Sequence, residues 1–176
     1  YENQVLEDWY ELIRHISVSE TGEGIETCCD WIQKKMEEIG IQVTKYSVKP
    51  APVLVGRFGN DPEKKTVLIY AHYDVKPAGE RKLWHSDPFV PTVRDGKVYA
   101  RGSADNKSPL MAHLKALEYF VRKKMEVPVN VIFVFEGDEE CGSRGLEEFL
   151  AEHRTELAAD LVFFSDGPKD PSGLPI

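Results

Sequence analysis

Four short stretches that are predicted to be strands each run directly into a histidine or a carboxylate. The stretches are Thr66–Ala71, Lys97–Arg101, Val129–Phe135 and Asp160–Phe164. The residues that follow them are, in order, His72 with Asp74, then Asp105, then Glu139 with Glu140, and finally Asp166. Open α/β sheets bind their ligands at the carboxyl ends of their strands. We therefore predict that these side chains converge in one crevice.

A crevice lined by five carboxylates is electrostatically unfavourable unless cations neutralise it, because like charges repel at short range. Two Zn²⁺ ions would balance three ligating carboxylates and one bound hydroxide. Imidazole and carboxylate ligands without clustered thiolates suit catalytic Zn²⁺, with Mn²⁺ or Co²⁺ as alternatives. The pattern thus predicts a site for a pair of divalent metal ions.

Each of these residues also has an ordinary structural explanation. His72 and Asp74 lie two apart, so extended backbone puts them on one face, where Asp74 can accept the second ring N–H of a metal-bound imidazole. A histidine beside a turn aspartate is nevertheless the commoner case. The adjacent glutamates suit a helix N-terminus, and the other two aspartates suit caps or turns. Because such residues follow four successive predicted strands, one shared functional site is favoured over four unrelated structural roles.

The elements that must position these residues follow from hydrophobic periodicity. Helices are predicted at Val5–Ile16, Ile25–Ile39, Pro109 to about Lys124, and Ser143–Arg154. Further strands are predicted at Ile41–Val48 and Val53–Phe58. The proline-rich stretch Val75–Arg94 is predicted to be a long loop, and such loops in compact domains are usually functional. Together these elements predict a three-layer α/β/α domain with a mixed, largely parallel sheet.

Composition excludes several other classes of protein. The 176 residues are 41% hydrophobic and 30% charged, which fits a globular domain rather than a disordered chain. The net charge of −8 disfavours nucleic acid as a partner. No apolar run approaches the roughly 20 residues that span a bilayer. With three cysteines and no disulfide framework, we expect a soluble cytoplasmic protein.

Three motifs resemble the di-zinc aminoacylase, carboxypeptidase and dipeptidase family of metallopeptidases: VLIYAHYDVKPAG, HSDPFVPTVRDGKVYARGSADNK and PVNVIFVFEGDEECGSRGLEEFL. The similarity runs from about Val53 to Asp166 and is greatest to the cytosolic nonspecific dipeptidase and carnosinase branch. It implies hydrolysis of the amide bond of dipeptides or small peptides by a metal-activated hydroxide. Two alternatives stay open, an N-acyl amino acid deacylase of the acetylornithine or succinyl-diaminopimelate type and a non-catalytic metal-binding fragment.

The resemblance also implies a role for each candidate residue. The implied metal ligands are His72 and Asp166 on one zinc, Glu140 on the other, and Asp105 bridging both. Glu139 is the implied general base, and Asp74 would orient His72. A cis peptide bond between Asp105 and Asn106 is expected as well.

The sequence departs from the family pattern in two respects. Many members have Asp-Lys-Gly where this chain has Asn106-Lys107-Ser108, which affects the loop but not the ligand before it. The family's last metal-binding histidine and its lid or dimerisation domain correspond to sequence beyond Ile176. We therefore expect residues 1–176 to be the N-terminal part of a metallopeptidase catalytic domain that forms a homodimer through the missing domain. The remaining histidines are expected to be ordinary core or surface residues: His15, His85, His113 and His153.

Overall fold

The computed structural model describes residues 2–167 and residue 172. Its α-helices are α1 (Glu2–Arg14), α2 (Ile25–Ile39), α3 (Lys107–Arg122) and α4 (Leu146–Glu152). Its strands are β1 (Gln42–Tyr46), β2 (Val53–Phe58), β3 (Thr66–His72), β4 (Thr92–Arg94), β5 (Lys97–Tyr99), β6 (Asn130–Glu136) and β7 (Leu161–Phe164). Short 3₁₀ turns lie at Arg81–Leu83 and Glu139–Cys141.

Five strands form one mixed sheet in the order β1-β2-β6-β3-β7, which confirms the predicted fold class. The pairs β1–β2 and β2–β6 are antiparallel, whereas β6–β3 and β3–β7 are parallel. The parallel part is thus confined to three neighbouring strands. Their carboxyl ends lie at the same edge of the sheet, and His72 is paired there with Glu136.

Two apolar layers cover the two faces of this sheet. Strand β6 is buried from Val131 to Glu136, as expected for a central strand with both faces covered. Helices α1, α2 and α3 pack on one face, with Leu12, Ile32 and Leu114 in that core. On the other face Phe149 of α4 packs with residues that include Leu68, Val134 and Leu157. The arrangement is the predicted three-layer α/β/α domain.

In helix α2, the apolar residues that recur in the sequence are the ones that the structure buries. Its buried residues are Ile25, Cys28, Cys29, Ile32, Met36 and Ile39, which recur at helical spacing. Gly40 ends the helix with φ of 95°, and its N–H donates to the carbonyls of Met36 and Glu37.

None of the helices within residues 2–167 combines the length and apolar character that crossing a bilayer requires.

The prediction that Lys97–Arg101 belongs to the main sheet is wrong. Strand β5 pairs only with β4 in a separate two-stranded hairpin, closed by Asp95 and Gly96 with φ of 51° and 71°. A tight turn lets two short strands satisfy each other's hydrogen bonds, so neither has to join the larger sheet. Asp105 therefore lies on the loop that enters α3, not at the end of a sheet strand.

The helix predicted at Ser143–Arg154 is shorter than expected, since α4 begins only at Leu146. Ser143 and Gly145 have φ of 51° and 92°, which is left-handed backbone and cannot form a helical turn.

Strand β7 is at one edge of the sheet and carries an unusual amount of exposed apolar surface. The exposed fractions are 56% for Leu161, 48% for Val162, 46% for Phe163 and 63% for Phe164. A sheet edge of this kind leaves backbone donors and acceptors free to pair with another strand.

Candidate metal centre

The centre is built around His72, the last residue of β3, whose side chain is fully buried. Its Nε2 atom lies 3.1 Å from Asp105 Oδ1, 3.3 Å from Asp166 Oδ2 and 3.7 Å from Glu139 Oε2. These carboxylates come from the loops after β5, β7 and β6. The structure thus brings together four side chains that are up to 94 positions apart in the sequence.

The donor set around Nε2 fits a divalent cation. This nitrogen is buried and has no hydrogen-bond partner in the described part of the chain, although three carboxylates approach it. Ligand atoms of His72, Glu139 and Asp166 all lie within 4.8 Å of one another. An imidazole nitrogen facing several carboxylate oxygens is the ligand chemistry of catalytic zinc and related ions.

Asp74 supports His72 from the opposite side of the imidazole ring. Its Oδ1 lies 3.3 Å from Nδ1 of His72, and its buried carboxylate accepts the backbone N–H groups of Glu139 and Glu140 at 3.1 Å each. Burial alone would raise the pKa of Asp74, but the contacts with His72, Ser19 and the backbone of Glu140 leave it lowered. Asp74 is therefore a carboxylate at neutral pH.

The surroundings of His72 favour positive charge. Burial lowers the pKa of His72, but Asp74, Asp166 and Glu139 outweigh it and raise the pKa to about 9. Burial also raises the pKa of Asp105, and the charges of Glu140 and Asp166 add to the rise while His72 opposes it. A cation would stabilise this cluster, because it would offset the repulsion between the negative charges of the neighbouring carboxylates.

Glu140 is placed differently from the other predicted ligands. It lies on the 3₁₀ turn Glu139–Cys141, and its Oε2 is 2.9 Å from Nζ of Lys76 rather than beside His72. Its charge still acts on Asp105, whose pKa it raises. Glu140 is thus close enough to Asp105 for their charges to interact, but its direct contact is with Lys76.

The loop that carries the two glutamates is fixed by contacts that the sequence pattern did not indicate. Asp138 is buried and binds the Arg144 guanidinium through two bonds of 2.9 and 2.7 Å. Glu136 accepts hydrogen bonds from Tyr70 at 2.5 Å and Ser143 at 2.8 Å. Both carboxylates therefore hold the turn rather than face the metal centre.

Ser165 links the two aspartate loops. Its carbonyl oxygen accepts a bond of 3.1 Å from the side-chain amide of Asn106, and its Oγ lies 2.8 Å from Nε2 of His113. The expected cis peptide bond between Asp105 and Asn106 is present. His113, which we expected to be an ordinary core or surface residue, thus supports the loop of Asp166. No local signal points to it, because the two partners lie 52 positions apart.

Lys107 anchors the other side of the Asp105 loop. Its side chain is fully buried, and Nζ donates to the carbonyls of Leu12 at 3.1 Å and His15 at 2.5 Å. These carbonyls are at the C-terminal end of α1, where the helix dipole favours a cation. The start of α3 is thereby tied to α1.

A buried imidazole among carboxylates, at the carboxyl ends of the parallel strands, places this chain among α/β proteins with a candidate metal site at the edge of the sheet. The model of "Peptidase family M20/M25/M40" matches residues 68–174, and the chain belongs to this family. The family resemblance of the three motifs is thereby confirmed. Membership in a metallopeptidase family implies a metal cofactor, and the donor set around His72 fits one.

Individual relatives are similar over most of this chain. The Cys-Gly metallodipeptidase dug1 of Schizosaccharomyces pombe is 43% identical over 147 residues, which are 78% of this chain and 31% of that protein. The Beta-Ala-His dipeptidase of Mus musculus is 41% identical over 65% of this chain and 24% of its own length. An M20 family metallo-carboxypeptidase from Sulfolobus solfataricus superposes with a TM-score of 0.90 at 36% identity, over 96% of this chain and 38% of that one. This chain thus spans between about a quarter and two fifths of these relatives.

Proposed function

We propose that the protein hydrolyses the amide bond of dipeptides or small peptides with a pair of zinc ions, or with Mn²⁺ or Co²⁺ in their place. The observation that carries the proposal is the buried Nε2 atom of His72, which lacks a hydrogen-bond partner within residues 2–167 and is approached by three carboxylates. The two relatives named as dipeptidases support the substrate class.

Four side chains would hold the metals. His72 and Asp166 would bind the first ion, Asp105 would lie between both ions, and Glu140 would bind the second. When bound, the ions would lower the pKa of a water molecule and polarise the scissile carbonyl group. Asp74 would fix the ring of His72 so that Nε2 points at the first ion.

Glu139 would move the proton. Burial raises the pKa of its carboxyl group, and the charges of Asp166 and Glu140 raise it further against the opposing effect of His72. A general base works best when its pKa approaches the working pH. Glu139 would take a proton from the attacking water and deliver it to the amine that leaves.

We further propose that residues 1–176 are the N-terminal part of a longer catalytic domain in a cytoplasmic homodimer. Two observations support the longer domain: the relatives are more than twice as long as the match, and β7 exposes apolar side chains at the edge of the sheet that residues 2–167 form. The longer chain would supply a further ligand to the second metal. The mass of the intact natural protein tests this part directly, since a mass of 20.0 kDa would contradict it.

The function is tested on the protein in its longest natural form. Metal content and hydrolysis of Cys-Gly and β-Ala-His are measured before and after chelation, and after Zn²⁺, Mn²⁺ or Co²⁺ is added back. His72→Asn should abolish both metal binding and turnover. His153→Asn should leave both unchanged, because the half-buried ring of His153 pairs with Glu156 and packs on Phe149, away from the metal centre.

Three results would contradict the proposal in different ways. Cleavage of acetylornithine or another N-acyl amino acid without dipeptide cleavage would identify a deacylase. Bound metal without any turnover would indicate a non-catalytic protein. Turnover that survives complete removal of the metals would exclude the proposed chemistry.

A further inference from the structure

Lys76 lies two residues beyond Asp74 and contacts Glu140 twice. Its Nζ atom is 2.9 Å from the carboxylate Oε2 and donates to the backbone carbonyl oxygen of the same residue at 2.7 Å. The Lys76 side chain is 57% exposed, whereas that of Glu140 is only 11% exposed. An ammonium group reached from solvent thus covers a nearly buried carboxylate.

We propose that Lys76 competes with the second metal ion for Glu140 and makes that ion bind more weakly than the first. The inference rests on the proposed two-metal site. An ammonium group and a divalent ion that share one carboxylate repel each other, and each satisfies the charge that would otherwise attract the other. Lys76 occupies Oε2 of Glu140, so an ion bound to this carboxylate would share it with an ammonium group unless Lys76 moves away.

The proposed ligands of the first ion and of the second ion differ in whether an ammonium group is paired with them. In the described part of the chain, the ion pairs of Asp105 and Asp166 are with His72, which is itself a proposed ligand of the first ion. Glu140 is instead paired with the ammonium group of Lys76, which is not a ligand. The second ion thus meets a competing cation at its carboxylate, whereas no lysine or arginine pairs with Asp105 or Asp166 within residues 2–167.

The hydrogen bond from Lys76 to the backbone carbonyl of Glu140 should prolong the repulsion between the ammonium group and the second ion. After Lys76 gives up the carboxylate, its Nζ can remain bound to the carbonyl oxygen of Glu140. The positive charge then stays next to the second ion instead of moving into solvent. The proposed consequence is a second ion that exchanges readily, so that the occupancy of the centre follows the concentration of free metal.

The test is a titration of the metal-free protein, in its longest natural form, with Zn²⁺ alone in competition with a chromophoric chelator. The variants are Lys76→Met, which removes the charge, and Lys76→Arg, which keeps it. The matched control is Lys82→Met, because Lys82 is an exposed lysine that pairs with Glu80 at 2.6 Å and not with a site carboxylate. The first equivalent of Zn²⁺ serves as an internal reference for folding.

In Lys76→Met, the second equivalent should bind about two- to fivefold more tightly, as expected from removing one partly exposed ion pair. The first equivalent should be unchanged, and Lys76→Arg and Lys82→Met should match the parent protein. The gain should shrink in salt of about 1 M, where exposed charges are screened.

An unchanged or weaker second equivalent in Lys76→Met would overturn the inference, as would a protein that binds only one equivalent in every variant. In the first case a normal first equivalent and normal turnover would leave the proposed function intact, whereas binding of only one equivalent would also contradict the proposed pair of metal ions. Absence of any Zn²⁺ binding in the parent protein would instead contradict the proposed function itself.

Discussion

The carboxylate of Asp74 lies 3.3 Å from Nδ1 of His72. The same carboxylate accepts the backbone N–H groups of Glu139 and Glu140, so it joins the end of β3 to the turn after β6. The backbone carbonyl of Asp74 also lies 3.1 Å from Nδ1, so the carbonyl and carboxylate of one buried residue orient the imidazole ring, and the carboxylate holds the two glutamates.

Asp74→Asn should weaken the first metal by about 10- to 100-fold, the usual cost of losing a carboxylate behind a metal-bound histidine. Asparagine offers one acceptor oxygen where Asp74 offers two, and it brings no charge to the imidazole. Competition with a chelator measures the change. Asp87→Asn, at an exposed turn beside Arg81, is the matched control and should have no effect. Equal affinity in the two variants would show that Asp74 does not position the ligand.

Glu139→Gln should keep the metals but lower the rate of dipeptide hydrolysis by about 10²- to 10⁴-fold, because glutamine cannot carry the proton. Metal content and steady-state rates are measured on the same preparation, and Glu147→Gln on the exposed side of α4 serves as the control. Loss of metal in Glu139→Gln would instead indicate that Glu139 is itself a metal ligand. Its Oε2 lies 3.7 Å from Nε2 of His72, close enough for both atoms to bind one ion.

Local patterns were sufficient to predict the elements that carry the site. The boundaries predicted for α2 and β2 match the structure, because the side-chain periodicity and the stop at Gly40 are contained within a few residues. The pairing of the strand before Asp105 was predicted less well, although Asp105 itself lies beside His72 as expected. Short strands next to a tight turn can pair with each other or join a larger sheet, and nothing in their own residues decides between these outcomes.

Contacts between distant loops could not be predicted from periodicity. Asn106 and Ser165 lie 59 positions apart, and Lys76 and Glu140 lie 64 apart. Each is an ordinary polar residue in its own segment. Their partners are set only when β3, β6 and β7 are aligned in the sheet, so the structure was needed to identify them.

Gly137→Ala should destabilise the protein by about 1–3 kcal/mol, the usual cost of overpacking a filled core. A Cβ atom at this position would lie 2.5 Å from the ring of Tyr73, which is fully buried and held by a bond of 2.7 Å to the carbonyl of Pro52. Chemical denaturation measures the loss. The variant should also bind metal more weakly, because relief of the clash moves the turn that carries the proposed ligand Glu140.

The matched control for this variant is Gly22→Ala. Gly22 has open space around it but a φ of 74°, so the substitution changes stability through the backbone alone. It should leave metal affinity unchanged. If Gly137→Ala also leaves metal affinity unchanged, the turn does not depend on close packing against Tyr73.

A buried ion-pair cluster far from the metal centre ties α1 to α3. Asp8 contacts Lys115 and lies 3.3 Å from Nζ of Lys35, while Lys115 also lies 2.5 Å from Glu118. Burial raises the pKa of Asp8, but the contacts with Lys115 and Lys35 outweigh it, so that the pKa is lowered from its ordinary 3.8. The ionised form is thus favoured more strongly in the folded than in the unfolded chain.

Asp8→Asn should therefore lower the free energy of unfolding by about 1–3 kcal/mol near pH 7, the range for hydrogen bonds to charged groups. A lowered folded-state pKa stabilises the protein above the unfolded value, and the contribution disappears as the pH falls through the folded value. The difference between parent and variant should be constant from about pH 5 to 8 and should shrink below about pH 4. Asp30→Asn, in an exposed pair with Lys45, should cost less than about 1 kcal/mol. A difference that persists undiminished at pH 2 would show that Asp8 acts through packing rather than charge.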